Sequence, residues 1–232
     1  ARAGESLRGF YALMALWASV EDLSGDRQLE VRTHGVSLKA VEESEPTADF
    51  AHMNWAAGRL FELQGKYDDA EPLYVRAIAI GEKMLGPEHP DLAVWLNNRA
   101  GLLMSQGKYS EAEPLYERCQ AIEEKVLGPE HPSLATTLNN RAGLLREQGN
   151  FAEAEPLYER SQSIREKVLG PEHPDVAQSL NNRAGLLGSQ GKYAEAEPLY
   201  ERSQAIVEKV LGPEHPNVAS SLNNRAGLLE SQ

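Results

Sequence analysis

Two adjacent asparagines, Asn97 and Asn98, return as Asn139 and Asn140, as Asn181 and Asn182, and as Asn223 and Asn224, each time 42 residues on. A side-chain amide donates and accepts, so a column of amides can pair with the backbone of an extended peptide whatever its sequence. An arginine follows each pair (Arg99, Arg141, Arg183, Arg225). It brings a permanent charge and a planar fork of donors. His89, His131, His173 and His215 also recur, each beside a glutamate. Each sits in a connector about one repeat from the next, not at the i, i+4 spacing with which one helix presents two metal ligands. They are expected to pack loops, and no metal site is expected.

Cys119 is the only cysteine. It replaces a small core residue and reads as a buried structural thiol rather than a nucleophile. Gly107-Lys108 is followed by Tyr109 and lacks the earlier glycine of a phosphate-binding loop, and no Gly-x-Ser-x-Gly elbow occurs. No acid–base or nucleophilic constellation is present. The expectation is a protein that is not an enzyme and has no cofactor.

The elements that must carry these residues follow from the same period. Asn-Asn-Arg-Ala-Gly-Leu-Leu starts at Asn97, Asn139, Asn181 and Asn223. Self-similarity at a fixed period says that one small unit is stacked, not that one large core is built. In the unit from Asp91, apolar Leu92, Val94, Trp95, Leu96, Ala100, Leu102 and Leu103 have helical spacing. Asp91 is the expected N-cap, with Ser133, Asp175 and Asn217 as its equivalents. Gly107, Gly149 and Gly191 are expected to end this helix A. A helix B is expected from about Ser110 to Leu127, with Pro114, Pro156 and Pro198 in its first turn. Ala112, Leu115, Tyr116, Cys119, Ile122 and Val126 form its apolar stripe. Gly-Pro-Glu-His-Pro connects to the next unit, and no stretch has strand patterning.

Residues 47–232 are thus expected to form a tandem array of 42-residue hairpins, the last cut after its helix A. Residues 1–46, with helical segments over Leu7–Leu23 and Arg27–Glu43, read as a degenerate hairpin capping the stack. Both ends read as cut from something longer. Phe10–Val20 is too short to span a bilayer.

Gly107, Tyr109, Ala112, Tyr116 and Cys119 recur as Gly149, Phe151, Ala154, Tyr158 and Ser161 and as Gly191, Tyr193, Ala196, Tyr200 and Ser203. With the helix-A alanines Ala100, Ala142, Ala184 and Ala226, this pattern resembles the tetratricopeptide repeat (TPR). The 42-residue form, with Ala-Glu-Pro-Leu-Tyr and Leu-Gly-Pro-Glu-His-Pro, looks like the kinesin-light-chain type. The resemblance covers about Ala51 to Gln232. It implies an all-α, right-handed solenoid of antiparallel helical hairpins with helix A lining the concave side. It also implies that Asn98, Asn140, Asn182 and Asn224 line a ligand groove. One departure stands out: arginine takes the place of the family's usual apolar residue before the helix-A alanine.

Two readings of the amide column stay open. In one it binds ligand; in the other Asn pairs bridge adjacent units and Gly101 and its equivalents allow close helix approach. A mid-helix glycine costs about 1 kcal/mol relative to alanine, so its repetition needs a reason. Specificity is assigned to positions that vary: Val94, Met104 and Ser105; Thr136, Arg146 and Glu147; Gln178, Gly188 and Ser189. The arginines either pack their stems and reach helix-B acids such as Glu111, Glu113, Glu117, Glu123 and Glu124, or form a cationic track for acidic peptides.

A net charge of -12 excludes nonspecific binding to nucleic acid or anionic membrane, which needs clustered cations. A single cysteine fits a reducing, cytoplasmic compartment. The expected function is a scaffold that binds a protein or peptide along a concave groove, as adaptor or recognition region of a larger protein. The alternatives are an architectural, self-associating module or the ligand-sensing repeat region of a signalling ATPase. The chain is expected to be monomeric, with end-to-end stacking as the competing outcome.

Overall fold

The computed structural model describes residues 47–212 together with His215, Val218, Asn223, Asn224, Arg225 and Gly227. The expected capping hairpin over 1–46 lies outside the described residues. Among the described residues, eight helices with defined bounds follow one another: α1 (Ala48–Leu63), α2 (Tyr67–Met84), α3 (Pro90–Ser105), α4 (Tyr109–Val126), α5 (Pro132–Glu147), α6 (Phe151–Leu169), α7 (Pro174–Ser189) and α8 (Tyr193–Leu211). Among the described residues there is no strand. The fold is an all-α solenoid built from helical hairpins.

The chain divides into two compact units, the first ending at Gly107 and the second starting at Lys108. In the first, α1 packs antiparallel on α2, and α2 packs on α3. Ala57, Phe61, Ala70, Leu73, Tyr74 and Leu102 close its core. In the second, α5 pairs with α6 and α7 with α8, while α4 lies on α5 and α6 on α7. Its apolar layers alternate. Ala142, Leu145, Ala154, Tyr158 and Leu186 form one, and Val176, Ala177, Leu180, Ile206, Val207 and Val218 another.

The small residues explain the tight hairpins. Gly58, which replaces the helix-A alanine of later repeats, lies so close to Tyr74 that an added Cβ would approach its ring to 3.0 Å. Ala112, Ala154 and Ala196 are fully buried for the same reason.

Helix boundaries differ from expectation at two points. Helix A begins two residues earlier, at Pro90, Pro132 and Pro174, and the cap is histidine rather than Asp91, Ser133 or Asp175. The Nδ1 atoms of His89, His131 and His173 accept from the backbone N–H two residues on, at 3.2, 3.2 and 3.1 Å. A proline at the first helical position has no N–H to satisfy, so the imidazole need serve only the next donor. Pro114, Pro156 and Pro198 are each the sixth residue of their helix, hence in the second turn, not the first.

Positive-φ glycines punctuate the chain at Gly65, Gly86, Gly107, Gly128, Gly149, Gly170, Gly191 and Gly212, so every 21 residues. Gly107 (φ 73°) stops helix A as the sequence predicts, and Gly128 (φ 95°) stops helix B. An L-residue with a side chain avoids that conformation.

Candidate peptide-binding face

In the second unit, helix α5 carries Asn139, Asn140 and Arg141, and α7 carries Asn181, Asn182 and Arg183. The Asn182 Nδ2 amide donates to Asn139 Oδ1 at 2.9 Å, and Asn224 Nδ2 donates to Asn181 Oδ1 at 2.8 Å. In these two pairs the second asparagine of a repeat holds the first asparagine of the repeat before it. Asn139 is buried; Asn140, Asn181 and Asn182 are half-buried; Asn223 and Asn224 are exposed. The bridging role is therefore present, and the column still keeps a partly open edge. In the first unit Asn97 and Asn98 are half-buried on α3.

Glycine is not forced here by helix contact. An added Cβ on Gly185 would meet only the Arg146 guanidinium at 3.4 Å and the Tyr200 hydroxyl at 3.5 Å, and on Gly227 nothing within 4 Å. Close approach of neighbouring backbones does not account for these two glycines.

Two of the variable positions, at Glu62 and Arg146, lie near a tyrosine that recurs in every repeat. Glu62, Met104, Arg146 and Gly188 are equivalent in sequence, as are Tyr74, Tyr116, Tyr158 and Tyr200. In the first repeat the Tyr74 hydroxyl donates to Glu62 Oε2 at 2.5 Å, and Arg59 reaches the same oxygen at 2.8 Å. Burial, with the Glu62 carboxylate beside it, pushes the Tyr74 phenol far above its ordinary range. Arg146 instead pairs with Glu147 at 2.7 Å. Burial pulls its guanidinium down, but Glu147, Tyr158 and Tyr200 together hold it above its ordinary value. The Tyr158 and Tyr200 phenols are raised by burial, with Arg146 opposing.

Among the other assigned positions, Glu147, Gln178, Thr136 and Val94 are exposed and Met104 is half-buried. The Gln178 Oε1 atom also accepts from Arg165 at 3.3 Å, so it is only partly available. Ser105 and Ser189 hydroxyls turn back onto the Gly101 and Gly185 carbonyls.

The arginine column takes the structural of its two uses. Arg141 binds Glu117 at 2.6 Å and Gln120 at 3.0 Å on the preceding helix B. Arg183 repeats this with Glu159 and Gln162, and Arg225 with Glu201. In the first unit Arg99 lies 3.6 Å from Glu71. Of the helix-B acids expected to take part, Glu117 does; Glu124 pairs with Arg160 at 2.5 Å and Glu113 accepts from Gln148.

Cys119 is buried, and burial pushes its thiol up to about 12, which keeps it protonated. Among the described residues no cluster of three histidine, cysteine or acidic side chains could hold a metal, and no helix is long and apolar enough to cross a membrane.

Two sets of residues escaped the sequence reading. The histidine caps could be found from the His-Pro pairs, because a proline at a helix start points to the residue before it as cap. Buried Glu123 and Arg165 were betrayed only by their i+4 spacing from Cys119 and Ser161 on the buried stripe.

Hairpins of this size, with buried small residues at fixed positions and a capped 42-residue period, define the helical-hairpin repeat class of α-solenoid. The tetratricopeptide-repeat profile matches residues 91–167, 133–203 and 175–232, and a second profile of that description matches 57–91. The chain belongs to the tetratricopeptide-repeat family, and its repeats are of the kinesin-light-chain-like type. Among solved structures it is similar to the nearly identical TPR-like repeats of a Podosopora anserina protein described as a kinesin light chain. A single-substitution variant of that protein has 30% identity and a TM-score of 0.68, over 78% of this chain and 85% of that one. The unsubstituted form gives 29% and 0.67. BtubC (BKLC) from P. vanneervenii shares the fold, with 19% identity and a TM-score of 0.70 over 98% of this chain and 84% of that one. No curated protein matches. The chain is a protein-interaction repeat module.

Proposed function

We propose that this module holds a peptide segment of a partner protein along its helix-A face, as the adaptor or recognition part of a larger, cytoplasmic, non-catalytic assembly. The half-buried amides Asn140, Asn181 and Asn182 supply sequence-independent pairing, and Arg146, Glu147 and Gln178 read side chains; Asn97, Asn98 and Met104 do so in the first unit. The observation that carries this reading is a division of labour. Arg141, Arg183 and Arg225 are committed to the preceding helix B and the histidines to capping helix starts, whereas the equivalent positions Glu62, Met104, Arg146 and Gly188 change from acid to thioether to base to nothing. A surface that varies on a scaffold that repeats is the layout of a recognition face.

The test selects peptides on the whole chain by display and then measures their binding to a variant that combines Asn140→Ala and Asn182→Ala. The pair is expected to weaken binding by about tenfold, some 1.4 kcal/mol, and to move the thermal midpoint little. Intact binding with a large loss of stability would assign the amides to bridging alone.

A further inference from the structure

Each helix B meets the helix A of the next repeat through one slot that the repeat does not copy. On helix B the slot holds Gly81, Glu123, Arg165 and Val207, at equivalent positions; opposite, on helix A, stand Trp95, Thr137 and Ser179.

In the first unit the slot is a matter of shape. Trp95 is buried against Gly81, where an added Cβ would come within 2.3 Å of Trp95 Cζ3 and 2.9 Å of Leu92 Cδ2. No other slot residue on helix B is small enough to accept that indole.

In the second unit two slots are polar and opposite in charge type. Glu123 is 3% exposed. It lies with Cys119 and Thr137, whose Sγ and Oγ1 atoms are 3.1 Å apart, and its Oε2 atom has no partner. Burial lifts its carboxyl above the ordinary range, with hydrogen bonds from Thr137 and Cys119 opposing. One repeat on, Arg165 is 4% exposed. Its Nη1 atom donates to the Asp175 carbonyl at 2.9 Å, to Ser179 Oγ at 2.9 Å and to Gln178 Oε1 at 3.3 Å.

Buried charges are poor stabilisers, and well-packed apolar residues in their place are often neutral or better. Val207 shows that this fold accepts an apolar residue in the slot, packed with Val176, Ala177, Ile206 and Val218. Glu123 and Arg165 therefore need another reason. The repeats are near copies, so a helix B that skips one repeat finds an almost equal partner, a known failing of repeat arrays.

We propose that the slots are register keys: each admits the helix A that follows it and disfavours one displaced by 42 residues. Take α4 pairing with α7 in place of α5. Glu123 would exchange the Thr137 hydroxyl for that of Ser179, losing only a methyl, but would gain Asp175 where Ser133 stood, an acid beside an acid. Arg165 placed on α5 would lose Gln178 for Thr136. Gly81 would leave a void against either Thr137 or Ser179, while Trp95 fits nowhere else. The penalty falls on wrong pairings more than the gain falls on the right one.

Cys119, the chain's one thiol, lets the register be read directly. Thr137→Cys sets a thiol beside it in the native register, and Ser179→Cys sets one beside it only after a 42-residue slip. The full chain carrying either cysteine is refolded from denaturant in a glutathione buffer at low concentration, with Glu123 and Arg165 kept or replaced by Glu123→Val and Arg165→Val. Peptide mapping then quantifies each disulfide. The Cys119–Thr137→Cys bond is expected to dominate when the keys are present. The Cys119–Ser179→Cys bond is expected to rise about tenfold when they are removed, the ratio that 1.4 kcal/mol of discrimination gives. Equal slipped disulfide in both backgrounds overturns the proposal. If the valine pair does not recover native helicity, Glu123→Gln with Arg165→Gln makes the same comparison, and equality there overturns it as well.

Discussion

The Gly81–Trp95 contact and the Glu123 and Arg165 slots occupy the same place in their repeats and solve it by different physics. The first fills space with an indole and removes the opposing side chain to make room. The others bury a charge and surround it with hydroxyl, thiol, amide or carbonyl groups. Shape is unforgiving of added atoms but indifferent to pH; the polar slots tolerate changes of volume but respond to protons and to lost partners. One backbone geometry thus accommodates two kinds of complementarity, and three measurements separate them.

The largest effect is expected at the indole. Trp95→Ala should cost about 3–5 kcal/mol, since a buried aromatic leaves a cavity that the surrounding helices close only in part. Urea unfolding measures it, and a loss below about 1 kcal/mol would mean that α2 and α3 do not depend on this contact. Gly81→Ala comes next, at about 1–3 kcal/mol of overpacking. Its cost should largely disappear in a Trp95→Thr background, and a double-mutant cycle with no coupling would sink the shape argument.

Glu123→Gln is the smallest and has the opposite sign, a gain of about 1 kcal/mol at neutral pH, because a buried amide carries no charge to desolvate. The pH dependence sharpens it. The folded carboxyl sits above its ordinary value of 4.5, so the folded chain keeps a proton that the unfolded chain releases. Stability from this group is full below the ordinary carboxylate range and is lost as pH rises through the folded value. Glu123→Gln should flatten that decline. An unchanged slope between pH 4 and 7 would show that Glu123 is not the group responsible.

The repeat, the helix count within it and the glycine stops were legible because each rests on a local rule. Three-and-four spacing marks the buried stripes, and a left-handed stop demands glycine at Gly107 and Gly128. The histidine caps were not legible in the same way, because imidazole is outside the usual set of cap residues and Asp91 competes for the role two positions on. Glu123 and Arg165 were hidden by charge, since an acid or a base on helix B reads as solvated until its neighbours are known. For the proposed recognition face, the columns were legible but not their connections. That Asn182 grips Asn139, while Arg141 is tied to Glu117, depends on which helices lie side by side.

The 21-residue beat of left-handed glycines constrains how such a chain can grow. Removing one beat would put helix-A sequence where the alternation calls for helix B, so that the asparagines of every later repeat changed place with its prolines and tyrosines. Removing two leaves each surface where it was. Length can therefore change only in steps of a whole hairpin, which is what unequal crossing-over between near-identical gene segments supplies, and any binding face gained that way arrives already in phase.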